Sequence, residues 1–452
     1  MTEKEHSTPK KNHYPAIIQD NLEPLYRHEI LDPVKHKPSF DNGGEMKDFD
    51  ADVFNNNGWY SGDLLFMFGC YRKDYEHLLF PIANALAEKG FRIHLIVYEK
   101  SSPNLAMLSK KINKIYYNTF VKEHNLYKRA ASYFSGFYEK ELASFTAISK
   151  LTISQKNKLY AFYKRYAFDK LLTDQLIALI KPKCIAGIHF ILTPGCVESI
   201  KSASSPIFLL LLQHGLISAH KDKPHDFWGA DLVVLWGHFF QELLNRKKEI
   251  PSSVILGNPK LEHVLTTVKA KKNNRKDSFQ ILYIFTGSPK EEFNISNVSL
   301  FLKSIRPLKH LKVLYKLHPN SKKSDCRFLI QKGLIKEREI ITHTDLYELI
   351  VQSDLIIGDY STAIFEAAAL NRPVIQIYQN NYPEEYVRFP SVHSASELTS
   401  IITKMQTNPQ FYQQWVERNK KQILELFHQI EGSIDRISAY LAQLLTGNSK
   451  LF

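Results

Sequence analysis

The chain has 452 residues, more than one ordinary hydrophobic core accommodates, so its length favours two or three domains. Its hydrophobic content of 44% excludes a disordered protein, and its apolar runs are shorter than the roughly 18 residues that a membrane-spanning helix requires. The net charge of +13 favours an anionic partner, which leaves nucleic acid, the inner leaflet of a membrane and phosphorylated substrates as candidates.

The positive charge is not organised for nucleic-acid recognition. Lys and Arg are spread over many segments and no zinc-finger or helix-turn-helix signature is present, so we expect no nucleic-acid partner. The first residues lack the apolar core of a signal peptide, which predicts a cytoplasmic protein. The positive charge suits peripheral contact with the inner face of the cell membrane. The four cysteines lack metal-like spacing, so neither a zinc site nor a disulfide scaffold is indicated.

The chain begins with an irregular extension over residues 1–58, in which prolines interrupt every regular period. A first α/β domain is predicted over 59–262. It opens with a strand at 64–68, a helix at 74–89 and a strand at 92–97. This alternation is typical of a parallel sheet whose faces are covered by helices.

A helical insertion is predicted at about 105–180, where the sequence becomes rich in Tyr, Phe and Lys. Two interpretations of the aromatic residues stay open. They suit a membrane interface or a glycan groove, and they equally suit helix faces packed on the sheet. Strand patterns resume at 184–188, 206–212 and 232–235.

The strand at 206–212 ends in Gln213-His214-Gly215. Glycine lets the backbone turn sharply there, which leaves the imidazole of His214 exposed at an edge of the sheet. A neutral imidazole can accept a proton near pH 7, so His214 is a candidate general base. The alternative is a purely structural histidine.

A charged stretch at 269–277 without apolar periodicity marks the predicted boundary before a second α/β domain over 278–425. Its first strand, at 281–286, leads into the loop that contains Gly287 and Ser288. We expect this loop to meet phosphate groups at a cleft between the domains.

The most informative segment is 355–375, in which an apolar strand, a small polar loop, a helix and a second apolar strand follow one another. Ser361 and Thr362 stand where the helix begins, and helix N-termini bind phosphate because their first N–H groups lack partners within the helix. An earlier strand at 313–317 leads directly to His318. Ligands of parallel sheets collect at the carboxyl ends of strands, so we expect one site here. The alternatives are a helix cap at Ser361 and a solvated loop residue at His318.

Four motifs, in this order, resemble those of the CDP-glycerol glycerophosphotransferases, GT-B enzymes of teichoic-acid and capsule assembly: Gln213-His214-Gly215, Gly257-Asn258-Pro259-Lys260, Lys316-Leu317-His318-Pro319 and Asp359-Tyr360-Ser361-Thr362. The His-Pro and Ser-Thr pairs are also similar to motifs of bacterial sialyltransferases and polysialyltransferases, which bind a CMP-linked donor. The resemblance covers roughly residues 200 to 380. Leu216 departs from the usual Thr of the first family, and Lys260 and Lys316 replace its Arg.

The resemblance implies a fold and an activity. The fold would be α/β and GT-B-like, with two Rossmann-like domains facing a central cleft and a C-terminal helix, residues 426–452, that crosses back to the first domain. The activity would transfer a glycosyl or polyol-phosphate group from a CMP- or CDP-activated donor to a glycan or lipid-linked acceptor of capsule, teichoic acid or lipopolysaccharide type. His214 would deprotonate the acceptor, and His318, Ser361 and Thr362 would stabilise charge on the departing nucleotide.

Three further residues complete the predicted donor side. Lys316 is a candidate phosphate contact, and Asp359 is expected to fix the loop through backbone hydrogen bonds. Glu366, one turn into the helix, either accepts the ribose hydroxyls of the donor or is a surface carboxylate. No metal and no cofactor are expected.

Two other readings of the chain stay open. One is an enzyme that uses a UDP-sugar, either as a glycosyltransferase or in the manner of the non-hydrolysing 2-epimerases, although this reading requires more cleft carboxylates than the sequence assigns. The other is a non-catalytic protein that binds anionic surfaces. A transferase needs an acceptor, an epimerase does not, and a binding protein converts neither substrate.

Overall fold

The computed structural model describes the following residues: 62–67, 73–98, 102–138, 152–188, 193–217, 227, 229–247, 251–267, 278–290, 292–319, 321–342, 344–377 and 384–446. The predicted extension at 1–58 and the charged stretch at 269–277 lie outside them. Within them the chain separates into two compact units. One is helical and consists of 121–173 with 194–196, and the other contains both sheets.

The first sheet is built from seven parallel strands of the described chain, in the spatial order β3-β2-β1-β4-β5-β6-β7. The strands are β1 (Leu64–Phe66), β2 (Ile93–Val97), β3 (Asn113–Tyr116), β4 (Cys184–Ile188), β5 (Phe208–Leu212), β6 (Leu232–Leu235) and β7 (Ser252–Ile255). The central strands are buried along their whole length, as expected of continuous apolar runs in a sheet covered on both faces.

The second sheet has six parallel strands in the described part of the chain, in the order β10-β9-β8-β11-β12-β13. The strands are β8 (Phe279–Ile284), β9 (Leu311–Lys316), β10 (Ile340–Ile341), β11 (Leu355–Gly358), β12 (Val374–Ile377) and β13 (Ser391–Val392). Two parallel sheets with helices between successive strands confirm the predicted α/β class with two Rossmann-like domains.

Helices lie between most of the successive strands and follow the last one. They are α1 (Lys73–Glu88), α2 (Tyr117–Glu123), α3 (Leu126–Tyr133), α4 (Ile153–Ile180), α5 (Pro194–Lys201), α6 (His238–Asn245), α7 (Pro259–Thr267), α8 (Glu292–Ile305), α9 (Arg327–Gln331), α10 (Leu346–Gln352), α11 (Thr362–Ala369), α12 (Ala395–Thr407), α13 (Pro409–Ile423) and α14 (Ser433–Leu445). Several of them start at a side-chain cap. Asp345, Ser361, Ser394 and Asn408 each accept a hydrogen bond from a backbone N–H of the first turn.

Strands β8 and β9 begin earlier than predicted, and two further differences have a local cause. Residues 113–116, inside the predicted helical insertion, form strand β3 at the edge of the first sheet. A run of four residues is too short for the two-residue alternation of a strand to stand out from the helical pattern around it. The strand predicted at 206–212 begins only at Phe208, because Pro206 has no N–H to donate to the ladder.

The C-terminal helix joins the core of the first sheet. Ile437 and Leu441 of α14 are fully buried in one cluster with residues of β1, β2, β4, β5 and α1. The core of the second sheet is separate and receives Leu398 of α12 and Trp415 of α13. The predicted return of the C-terminal helix to the first domain is therefore confirmed.

The helical unit has a small core of its own. Phe134, Leu159, Tyr163 and Tyr166 are buried against one another. Phe134, Tyr163 and Tyr166 therefore pack within the helical unit itself, whereas the second interpretation above had them packed on the sheet. Among the helices that the structure describes, none combines the length and the apolar character needed to cross a membrane.

Candidate active site

Three loops of the predicted donor side follow neighbouring strands of the second sheet. The strands β9, β8 and β11 lie side by side, and they lead to His318, to Gly287-Ser288 and to Asp359. Hydrogen bonds connect the loops. The Ser321 hydroxyl, in the His318 loop, donates to the carbonyl of Gly287 at 3.0 Å. The Thr286 hydroxyl donates to Oδ1 of Asp359. The structure thus brings the predicted loops together at the carboxyl edge of the sheet.

Asp359 is a buried residue of the loop before α11. Its Oδ1 accepts the N–H of Tyr360 at 2.7 Å as well as the Thr286 hydroxyl. The carbonyl of Asp359 accepts a hydrogen bond from Nε2 of the buried Gln376 at 2.6 Å. Held from both ends, the loop presents the start of α11 in one fixed position.

The start of α11 carries the two predicted hydroxyls. Ser361 is the N-cap, and its Oγ accepts the N–H of Ala363 at 3.3 Å. Thr362 is the first helical residue, and both side chains are partly exposed. The cap predicted as the alternative role of Ser361 is present. It leaves the hydroxyl hydrogen of Ser361 able to donate, since a capping oxygen serves as the acceptor.

The loop after β8 depends on a left-handed glycine and a buried amide. Gly287 has a φ of +69°, a conformation that side chains rarely adopt. Asn294 of α8 is buried, and its Nδ2 donates to the carbonyls of Thr286 and Ser288, each at 2.8 Å. The side chain of Asn294 therefore holds the Gly287-Ser288 loop in place.

The basic residues next to these loops differ in their surroundings. His318 is partly exposed, and its carbonyl accepts the N–H of Ser321 at 2.8 Å, which closes a turn. The ammonium of Lys316 donates to the carbonyl of Thr344 at 3.1 Å. Lys316 is thus tied to the segment before α10, whereas His318 lies in the loop itself.

In the first sheet, the loop after β5 is shaped by Gln213. This residue is buried, its Nε2 donates to the carbonyl of Gly215 at 2.9 Å, and its Oε1 accepts the N–H of Trp236 at 2.9 Å. The ring of His214 meets the ring of Tyr75 edge-on, with 5.0 Å between centroids. The side chain of Gln213 therefore fixes the turn that positions His214.

The His214 loop lies next to the start of α11. A Cβ added to Gly215 would lie 3.6 Å from Oγ1 of Thr362, an ordinary van der Waals distance, so Gly215 faces the donor-side hydroxyl. Farther along the loop, the carbonyl of Ile217 accepts a hydrogen bond from the buried hydroxyl of Tyr386. The candidate base and the candidate phosphate-binding helix thus belong to one site.

Glu366 is not a surface carboxylate, so that interpretation is wrong. Its side chain is 2% exposed, its Oε1 lies 2.5 Å from Nζ of Lys260, and its Oε2 accepts the hydroxyl of Tyr347 at 3.0 Å. Two protein partners already occupy the two carboxylate oxygens. The sequence did not predict this burial, because a single Glu in an alanine-rich helix gives no indication that a distant Lys pairs with it.

The Gly-Asn-Pro-Lys motif forms the start of α7. Oδ1 of Asn258 accepts the N–H of Leu261 at 3.1 Å, as a helix cap does. Gly257 has a φ of +97°, and a Cβ there would collide with Ser433 at the start of α14. These two positions fix the helix, and Lys260 points from it toward Glu366.

A histidine of α7 lies close to the same buried cluster. The ring centroids of His263 and His77 are 5.3 Å apart, and His77 also faces the ring of Tyr347. Burial lowers the pKa of His263 below its usual value. The neutral ring is therefore the form that suits this environment.

Sequence reasoning missed three residues of this site. Gln213 and Lys260 stood inside quoted motifs without an assigned role, and only the burial of both side chains reveals one. Asn294 gave no signal, because an amide on a helix reads as a solvent-exposed residue. The described residues contain no group of three or more His, Cys, Asp or Glu that is arranged to hold a metal ion.

The family comparison covers the second half of the site. Residues 256–418 match the model of the family described as CDP-Glycerol:Poly(glycerophosphate) glycerophosphotransferase. The match includes Lys260, His318 and the start of α11, and it begins after the His214 loop. The resemblance seen in the motifs is confirmed over this region. The match supports a transferase.

Solved structures show the same fold. S. aureus MnaA, solved with UDP, is 16% identical with a TM-score of 0.57 over 85% of this chain and 97% of that one. The UDP-GlcNAc 2-epimerase of Neisseria meningitidis bound to UDP-GlcNAc is 13% identical with a TM-score of 0.54 over 84% and 100%. The wall teichoic acid polymerase TagF is 12% identical with a TM-score of 0.50 over 86% and 90%. No curated protein matches this chain. Such low identities establish the GT-B-like fold alone.

Proposed function

We propose that this chain is a transferase that moves a glycosyl or polyol-phosphate group from a CMP- or CDP-linked donor to a cell-surface polysaccharide, without a metal ion. The observation that carries the proposal is the approach of Gly215 to Thr362, because it joins a candidate base to a helix N-terminus suited to phosphate. The family match over 256–418 supports the donor side.

The donor would bind with its phosphates at the start of α11. The positive end of the helix dipole would attract the phosphates, and the hydroxyls of Ser361 and Thr362 can donate to phosphate oxygens. His318, after β9 on the far side of β8, would add a further donor or a positive charge. These groups would stabilise the negative charge that develops on the departing nucleotide, and thus take the place of Mg²⁺.

His214 would act on the acceptor. Its neutral imidazole would remove the proton of an acceptor hydroxyl while that oxygen attacks the donor. With CDP-glycerol the attack is on the phosphorus next to glycerol, the phosphoanhydride bond breaks, and CMP leaves. With a CMP-linked sugar the attack is on the anomeric carbon, and CMP leaves again.

The proposed acceptor follows from the charge of the protein. A net charge of +13 suits a lipid-linked acceptor at the anionic inner face of the cell membrane, where the protein would bind peripherally. Holding donor and acceptor together in one cleft lowers the entropic part of the barrier by several kcal/mol. The type of polysaccharide, whether capsule, teichoic acid or lipopolysaccharide, is left to the acceptor assay.

A nucleotide panel tests the donor assignment. Melting temperatures are measured with CMP, CDP, UMP, UDP and GDP in the presence of EDTA, since a ligand that binds only the folded state raises the melting temperature. CMP or CDP should stabilise the protein without metal. Stabilisation by UMP or UDP alone would support the UDP-sugar reading instead, and stabilisation by none of the five would support a non-catalytic protein that binds anionic surfaces.

A further inference from the structure

The buried ion pair between Lys260 and Glu366 connects the two α/β halves of the site. Lys260 stands on α7, which follows the last strand of the first sheet and packs against α1 and α14. Glu366 stands on α11 of the second half, and the two side chains are only 6% and 2% exposed. The pair is therefore a contact between halves and lies away from solvent.

Glu366 lies on the face of α11 that meets the first half. It follows Thr362 by four residues, and residues four apart share one face of a helix. Thr362 approaches Gly215, and Glu366 pairs with Lys260. Two points of the first half thus contact one face of the phosphate-binding helix, one at its first residue and one a turn later.

Lys260 is also linked to the loop of the candidate base. Its ammonium lies 5.9 Å from the ring centroid of Trp236 and 6.0 Å from that of Tyr347. The backbone N–H of Trp236 donates to Gln213, which holds the His214 turn. A continuous set of contacts therefore runs from the base loop through Gln213, Trp236 and Lys260 to α11.

The pair is poorly explained by stability alone. Two charges removed from water lose hydration that their attraction only partly restores, so a pair of apolar residues of similar volume often stabilises a protein equally well. Loss of one partner, in contrast, leaves an unpaired buried charge and is strongly destabilising. What the ion pair adds over an apolar contact is a fixed geometry.

Building on the proposed function, we propose that Lys260 and Glu366 are positioning residues that set the register between the His214 loop and the phosphate-binding start of α11. Tyr347 supports the same carboxylate from α10. The pair touches neither the acceptor hydroxyl nor the reacting phosphate. It acts by keeping the base and the leaving group at the separation that transfer requires.

The test is a double-mutant cycle. Lys260→Met, Glu366→Met and the double variant are compared with wild type by melting temperature, by calorimetric Kd for CMP, and by kcat with CDP-glycerol or CMP-sialic acid, whichever the wild type uses. The Lys260→Met variant should lose stability. The double variant should recover a melting temperature near that of wild type and bind CMP within about 3-fold, while kcat stays about 10-fold or more below wild type because the two halves lose register.

Two further variants separate positioning from stability. Lys260→Arg retains the charge in the same place and should recover more turnover than Lys260→Met. Glu262→Gln is the matched control on the same helix, because Glu262 accepts the N–H groups of Gly432 and Ile434 at 2.6 Å and anchors α14 instead of α11. It should lower the melting temperature and leave kcat and the Kd for CMP near wild type.

Each result has one meaning. A double variant with wild-type kcat overturns the positioning role and leaves the proposed function standing. The same holds if Glu262→Gln lowers kcat as far as the double variant does, since the loss would then follow stability in general. If the wild type neither binds CMP nor uses a cytidine donor, the proposed function fails, and the positioning role fails with it.

Discussion

His214 owes its place to side chains that surround it. Gln213 ties the turn to Gly215 and Trp236, and Tyr75 meets the imidazole edge-on. The turn is thus held at three points, and its Gly215 faces Thr362 of α11. A base that is held in this way can act without reorganising at the moment of transfer.

Replacing His214 should separate chemistry from binding. His214→Ala is expected to lower kcat by about 100-fold or more, since general-base catalysis contributes that much, while the affinity for the nucleotide stays near wild type. Steady-state transfer kinetics and calorimetry measure the two quantities. His310→Asn, an exposed residue at the amino end of β9, is the control and should change neither. Near-normal turnover of His214→Ala would exclude the base role.

Replacing the hydroxyls of α11 should weaken the nucleotide. Ser361→Ala with Thr362→Ala removes two donors to a phosphate, which is expected to cost about 1 to 3 kcal/mol of binding free energy. Calorimetry with CMP or CDP measures this loss. An unchanged affinity would leave both residues as ordinary helix-start residues.

Capping and binding by Ser361 can be separated with glycine. Glycine is a tolerated N-cap and costs only a few tenths of a kcal/mol of stability, whereas it carries no hydroxyl. Ser361→Gly should therefore keep its melting temperature and lose affinity for the nucleotide. A loss of melting temperature with unchanged affinity would assign Ser361 to capping alone.

At the level of residues, the sequence predicts where a functional side chain lies better than it predicts which residues that side chain contacts. His318 could be found because it follows an apolar strand, and Ser361 because it stands where a helix begins after a strand and a short loop. The pairing of Glu366 with Lys260 spans more than a hundred residues, and Asn294 serves its loop from the next helix. Such contacts depend on tertiary packing, which a periodic pattern does not encode.

Among the elements, α7 contacts two other helices through charged side chains and also carries a titratable histidine. Its Lys260 pairs with α11, its Glu262 holds α14, and its buried His263 lies against the ring of His77. Movement of this one helix would alter three interactions. The helix is accordingly anchored at its start by Asn258 and Gly257.

The histidine of α7 predicts a pH dependence of stability. Burial lowers the pKa of His263, so the folded state disfavours the protonated ring, and protons bind preferentially to the unfolded chain. Stability should fall as the pH drops from 7 through the usual histidine value of about 6.5 toward 5. His263→Gln should show a shallower decrease of melting temperature over this range. Parallel profiles for wild type and variant would contradict the assignment.

Short elements were harder to predict than long ones. Strand β5 is a continuous apolar run, β8 is apolar apart from Gln280, and the start of α11 follows a clear change of pattern. Strand β3 is short and half-buried, with no such contrast to its surroundings. Its position at the sheet edge results from pairing with β2, which the local sequence does not specify.

At the scale of the whole molecule, the resemblance implied the architecture and periodicity supported it. Alternating strands and helices predicted two parallel sheets, and both are present. The return of α14 to the first sheet followed from the resemblance, since nothing in its amphipathic pattern names the surface it covers. The proposed transfer requires that the two sheets carry different parts of the site, with His214 after a strand of the first sheet and α11 after a strand of the second.

The most direct test of this premise is acceptor-dependent release of CMP in EDTA. The purified protein is incubated with CDP-glycerol or CMP-sialic acid, with and without a polysaccharide acceptor, and CMP and elongated acceptor are quantified together. We expect CMP release that requires the acceptor, matches the residues added to it, persists without divalent metal and disappears in His214→Ala. Absence of release from both donors, or conversion of a UDP-sugar without any acceptor, would contradict a cytidine-dependent transferase.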